Sequence, residues 1–177
     1  MKNVGKIFEQ TIKSSIPDYC LLIRLPDPPH SFTQRSDTRF SIKNPCDYIC
    51  YDSKSKMIYF FELKTTAYKS MSFEDIDSKE SQNKMIHAHQ IEGLTKFSKY
   101  DGVCAGFFFN FRDEVNNMER TYFQNIIDFN KMCCSINKKS FNELDLIMNN
   151  AIKIQGAKKR TRYTWDIDSF LKSQCDD

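Results

Sequence analysis

No run among the 177 residues comes near the roughly 20 consecutive apolar residues that a membrane-spanning helix needs. The opening, MKNVGKIFEQ, also lacks the apolar core of a secretion signal. Together these absences lead to the expectation of a cytoplasmic protein with no membrane partner. The seven cysteines, Cys20, Cys46, Cys50, Cys104, Cys133, Cys134 and Cys175, form no C-x-x-C pair and have no histidine at zinc spacing. Most sit in apolar runs such as YCLLIRL and GVCAGFFF, so reduced core thiols are expected rather than a disulfide scaffold or a zinc finger. Internal repeats, Gly/Ser linkers and low-complexity blocks are missing too, which leaves one domain over residues 1–177 as the expectation.

What is present is the composition of an ordinary globular protein, 40% hydrophobic and 28% charged. A net charge of +3 says little by itself, but its distribution says more. NKKS at 137–140, with Lys138 and Lys139, and KKRTR at 158–162, with Lys158, Lys159 and Arg160, gather positive charge late in the chain. Such clusters are either solvated faces or phosphate contacts.

Along the chain, VGKIFEQTIKSS at 4–15 spaces Val4, Ile7, Phe8, Thr11 and Ile12 as one face of a helix. YCLLIRL at 19–25 reads as a strand, and PDPPHSFTQRSDTRFSIKNP at 26–45 holds four of the five prolines, so that the segment from about Leu25 to Asn44 reads as an extended, projecting arm. CDYICY and MIYFFELK follow as two strands at hairpin spacing, and then the polar AYKSMSFEDIDSKESQ reads as a loop. A helix is expected over 83–99, then GVCAGFFFNF as a strand apolar enough for the middle of a sheet. The last third reads as a strand RTYFQNI, a short helix at 127–134, and a helix introduced by Ser140 with Glu143 closing a capping box. Strands AIKIQG and TRYTWDI close the chain, and the order of elements predicts an α/β fold with a mixed sheet.

Charged residues at the ends of otherwise buried strands need a reason, because a buried charge requires a partner or a metal. In NPCDYICYDSKSKMIYFFELKTT, antiparallel pairing brings Asp47 at the open end of the hairpin beside Glu62 and Lys64. Glu62 and Lys64 are two apart and share one face of their strand. Two carboxylates so close repel unless a cation lies between them, and Mg²⁺ takes such oxygen ligands while keeping several waters. A metal held there can polarise a phosphodiester and activate water, and the lysine can orient or deprotonate that water. The other reading of Glu-x-Lys beside an aspartate is a plain surface ion pair.

The pattern NPCD followed by ELK resembles the PD-(D/E)-x-K nuclease motif. The ordered set GKIFEQTI, NPCDYICY, YFFELKTT, KSMSF, HAHQIEGL, DGVCAGF and NKKSF is similar to the RecU-type Holliday junction resolvases over nearly the whole chain, with a compact form suggestive of a phage-encoded member. The resemblance implies a restriction-endonuclease-like core, a central mixed sheet flanked by helices, with residues 25–44 as a stalk entering the junction. It implies a homodimer that cuts two strands of four-way junction DNA using Mg²⁺, with Mn²⁺ as a substitute. By the same resemblance, Asp47, Glu62, the Leu63 carbonyl and Glu9 would serve the metal, Lys64 would activate water, and Gln90 would belong to the site. Thr65, Thr66, Arg24, Arg35, Arg39, Lys43, Lys69 and His89, with the late Lys and Arg clusters, would meet the DNA. Two alternatives stand beside it: a restriction-type or repair nuclease on the same fold, and a DNA-binding protein without catalysis.

Overall fold

The computed structural model describes residues 3–26, 44–75 and 83–174. Most of the Pro-rich arm, including Arg35, Arg39 and Lys43, lies outside the described residues, as does Cys175. The elements are α1 (Val4–Lys13), β1 (Cys20–Arg24), β2 (Tyr48–Asp52), β3 (Ile58–Thr66), β4 (Ser70–Ser72), α2 (Ala88–Phe97), β5 (Val103–Asp113), β6 (Met118–Asn125), α3 (Ile126–Ser135), β7 (Ser140–Asn142), α4 (Glu143–Met148), β8 (Ile152–Ile154), β9 (Gly156–Lys159), β10 (Arg162–Trp165) and α5 (Ile167–Ser173).

One six-stranded sheet runs in the order β1-β2-β3-β5-β6-β8. Its neighbours are antiparallel except β3 and β5, which pair in parallel from Ile58 opposite Val103 to Thr66 opposite Phe111. The α/β expectation with a mixed central sheet is met. β5 is buried on both faces, which explains why its sequence is a continuous apolar run instead of an alternating one. Ala105, Phe107, Phe109 and Phe111 face a core shared with α2, α3 and β7. Cys104 and Phe108 face the opposite core, built with Phe8 and Ile12 of α1, Trp165 of β10 and Phe170 of α5. Each buried phenylalanine stabilises the fold by about 2 kcal/mol.

One residue of β5 breaks the apolar pattern. Asn110 is fully buried, accepts from the Thr65 hydroxyl at 2.7 Å, and donates through its amide to Thr121 at 3.1 Å and Glu119 at 3.2 Å. Its side chain therefore links β3 to β6 across β5.

Local structure departs from the sequence reading in four places. Helix α2 begins at Ala88 because Ile86 is taken into a parallel bridge with Phe73, its N–H bonded to Ser72 O at 3.0 Å. Part of the expected polar loop forms β4, which pairs with β7 at Met71 and Phe141, both fully buried. That burial of Phe141 places Ser140 in β7 and moves the helix start, so Asn142 caps α4 and closes the box with Asp145, not Ser140 with Glu143. Glu143 instead receives both Arg120 Nε and Nη2 at 2.7 Å. Helix α5 was not anticipated, although Asp166 caps it by accepting from Ser169 N at 3.0 Å and Ile167, Phe170 and Leu171 bury one face.

Helix α2 packs tightly over the chain just before Asp47. A Cβ on Gly93 would overlap the Pro45 ring, whereas one on Gly5 in α1 would meet only Asn3 Oδ1 at an ordinary 3.4 Å. Gly93→Ala is therefore expected to destabilise the protein by about 1–3 kcal/mol through overpacking. Gly5→Ala should be neutral or stabilise by about 0.5–1 kcal/mol through helix propensity. Urea unfolding of both variants checks the opposite signs.

Candidate active site

β2 begins one residue after Asp47, and its first pair with β3 is Tyr48 with Phe61. One position beyond that pair, Asp47 comes opposite Glu62. Two backbone bonds hold the Asp47 end in place: its carbonyl accepts from Leu25 N at 2.8 Å, and its carboxylate Oδ2 accepts from Leu63 N at 2.8 Å. Cys46, 2% exposed, anchors the residue before it in the core under α2.

Glu62, Lys64 and Thr66 alternate onto the face covered by α2. The Lys64 ammonium lies 3.0 Å from Glu62 Oε1, and the Gln90 amide on α2 donates to the same oxygen. Gln90 Oε1 in turn accepts from His87 N at 3.0 Å, which fixes which end of the amide faces Glu62. Gln90 is 8% exposed and Glu62 5%. An isolated surface ion pair does not have this burial.

Both carboxyls are strained electrostatically. Burial pushes Glu62 up to about 7; Lys64 opposes this, and the neighbouring Asp47 adds to it. Burial also raises Asp47, with the Leu63 N–H and Lys64 pulling it down and Glu9 pushing it up. A divalent cation between them would relieve what neither the lysine nor the amide relieves in full. Among the described residues no group of three or more His, Cys, Asp or Glu side chains gathers to hold a metal. Two carboxylates suffice for Mg²⁺, which completes its shell with water and phosphate oxygens, so the residues present fit that ion.

Glu9 turns its Oε1 to Arg24 Nε at 2.5 Å and to the Tyr48 hydroxyl at 2.9 Å. Its charge is felt by Asp47, but its bonds tie α1 to β1 and β2. Thr65 is bonded to Asn110, and Thr66, 3% exposed, accepts from Tyr68 N at 3.0 Å, so one hydroxyl serves the sheet and the other the turn between β3 and β4. Lys69 is exposed beside Tyr68 on the rim of a groove of about 610 Å³. His89 is half-buried and stacks on His87 with ring centres 5.6 Å apart. Lys138 pairs with Asp145 at 2.7 Å and Lys139 with Asp75 at 2.8 Å. Lys158, Lys159 and Arg160 sit on the exposed β9–β10 hairpin, where Lys158 also reaches Asn117 O at 3.1 Å. Sequence reasoning missed Tyr48, whose hydroxyl fixes Glu9, and Gly93, which lets α2 approach Pro45. The small residue at the centre of an amphipathic helix was the available signal.

No protein-family model matches the chain. It is 33% identical over 128 residues, 72% of its own length, to an SPbeta prophage-derived uncharacterized protein, YotM, of Bacillus subtilis strain 168. The match spans 58% of that protein, so the chain covers less than two thirds of it. Among solved structures, Hjc of Archaeoglobus fulgidus, a Holliday junction resolvase, superposes over 84% of this chain and 90% of that one, with a TM-score of 0.43 and 13% identity. Among the described residues no helix is long and apolar enough to cross a membrane.

Mg²⁺ is expected to raise the melting temperature of the wild type and not that of Asp47→Asn. Binding worth about 1 kcal/mol corresponds to about 2–4 °C in a chain of this size. In EDTA, Asp47→Asn should melt no lower than the wild type, since the amide oxygen still accepts from Leu63 N–H while the repulsion with Glu62 is gone. Differential scanning fluorimetry with and without EDTA reads both.

Proposed function

We propose that the chain is a metal-dependent endonuclease selective for four-way DNA junctions, a Holliday junction resolvase on a restriction-endonuclease-like core. The observation that carries this reading is the convergence of Asp47, Glu62, Lys64 and Gln90 at one end of β3, two carboxylates and an ammonium in a buried setting. The order of motifs that resembles the RecU-type resolvases supports the choice of substrate, and likeness to a prophage-derived protein agrees with a phage-encoded member.

Asp47, Glu62 and the Leu63 carbonyl would hold Mg²⁺, with Mn²⁺ as a substitute. When bound, the ion supplies neutralisation of charge at the scissile phosphate and lowers the pKa of attacking water. Lys64, oriented by Glu62, takes part in proton transfer from that water and offsets charge developing on the phosphoryl oxygens. Gln90 holds Glu62 Oε1 from the other side, so the carboxylate does not swing to follow the lysine. Glu9 keeps Arg24 and Tyr48 in the wall of the site, where Arg24 is 41% exposed in its side chain and meets a DNA phosphate. Lys69, the β9–β10 hairpin and the arm with Arg35, Arg39 and Lys43 provide further phosphate contacts. Binding so built is shape-selective and weakens steeply with salt. Two such sites in a homodimer make the paired cuts that resolution requires.

The test is cleavage of a labelled mobile four-way junction against matched linear duplex, with Mg²⁺ or EDTA. Paired symmetric nicks in the junction alone, absent in EDTA and in Asp47→Asn, are expected. Lys64→Ala should cut about 10²–10⁴-fold more slowly while binding the junction in Ca²⁺ as the wild type does. Cuts at a fixed sequence in linear duplex would instead identify a restriction-type enzyme. Junction binding with no cleavage under any divalent ion would identify a DNA-binding protein.

A further inference from the structure

Gln90 reaches Glu62 only because the start of α2 is held in one place, and the side chain that holds it is not part of the motif set described above. Glu74, just after β4, places Oε1 at 2.9 Å from His87 Nδ1 and accepts the Ala88 N–H on Oε2 at 2.8 Å. Its own N–H donates to Ile86 O at 2.9 Å, so backbone and carboxylate grip the same turn. The carboxylate is 17% exposed. It lies at a helix N-terminus, where a negative charge meets the positive end of the helix dipole. The very next residues complete a relay: His87 N–H donates to Gln90 Oε1, and Gln90 Nε2 donates to Glu62 Oε1.

We infer that Glu74 is a positioning residue for the candidate metal site, acting through His87 and the first turn of α2 to present the Gln90 amide to Glu62. This rests on the reading of Asp47 and Glu62 as metal ligands. The alternative for Glu74 is an ordinary helix cap, which steadies the start of α2 and does nothing at the site. The geometry separates the two, because a cap that only satisfied Ala88 N–H would not also fix the residue whose backbone orients Gln90. Outer partners of this kind commonly cost about tenfold or more in metal affinity when removed.

The experiment follows the Gln90 side-chain amide by ¹H–¹⁵N NMR in EDTA, its signal identified by its loss in Gln90→Ala. In Glu74→Ala the signal should move to the position of a solvated glutamine, while Glu74→Gln, whose amide oxygen still accepts from Ala88 N–H, should largely keep it. In parallel, the Mg²⁺ concentration giving half the thermal shift is measured in wild type, Glu74→Ala, Gln90→Ala and the double variant. A rise of about tenfold in Glu74→Ala that vanishes in the Gln90→Ala background is expected, because groups acting through one another do not add. An unchanged Gln90 signal in Glu74→Ala overturns the inference, as do additive losses in the double variant. If Glu74→Ala does not fold, His87→Ala decides, since it removes the side chain that Glu74 Oε1 grips and leaves the Ala88 N–H cap in place: a shifted Gln90 signal there supports the relay and an unchanged one overturns it. A wild type with no Mg²⁺ response would sink the metal reading alone, and the amide signal would still decide the relay.

Discussion

The parallel ladder between β3 and β5 organises the molecule. Parallel neighbours cannot be joined by a tight turn, so the chain between them must cross a face of the sheet. Here that crossing carries β4 and α2, and it lies on the face toward which Glu62, Lys64 and Thr66 point. On the other side of β3, the antiparallel hairpin delivers Asp47. A strand with one parallel and one antiparallel neighbour thus receives an amide from a helix and a carboxylate from a strand at the same end.

Electrostatics at that end is a balance that the protein alone does not close. Lys64 and Gln90 both serve Glu62 Oε1, and Leu63 N–H serves Asp47, yet both carboxyls remain raised, first by burial, then Glu62 by Asp47 and Asp47 by Glu9. A fold selected for stability alone would replace such a cluster with apolar residues at little loss. Its presence on the sheet face packed by α2 is understandable as preparation for a cation and an anionic substrate.

Most of this was legible in the sequence because period and length were unambiguous. The hairpin, the buried run of β5 and the face of α1 follow from apolar spacing, and the pairing of Asp47 with Glu62 follows from the hairpin. Gln90 was legible only by resemblance, since nothing in AHQIEGL says that this amide reaches a strand. What local patterns missed was decided by tertiary contacts. Phe141 is fully buried and so pulls its neighbours into β7, moving a helix start that Ser140 and Glu143 seemed to mark. Ile86 is likewise drawn into a bridge with Phe73 and shortens α2. The Glu74 carboxylate was unreadable, because its partners lie across a loop whose conformation no periodicity encodes.

Asn110 gives the long ladder a frame of reference. Side chains along a strand alternate, so a slip of β3 by one residue against β5 would turn Glu62 and Lys64 to the wrong core. The surrounding phenylalanines and leucines would tolerate such a slip, being similar in size and greasiness on both faces. A fully buried amide would not tolerate the slip that brings Lys64 opposite it, because it would lose the Thr65 hydroxyl and be left with an unmet polar group at a cost of about 1–3 kcal/mol. A single polar residue amid the aromatic run therefore acts as a reading-frame marker for assembly of the sheet, and the carboxylates inherit their position from it.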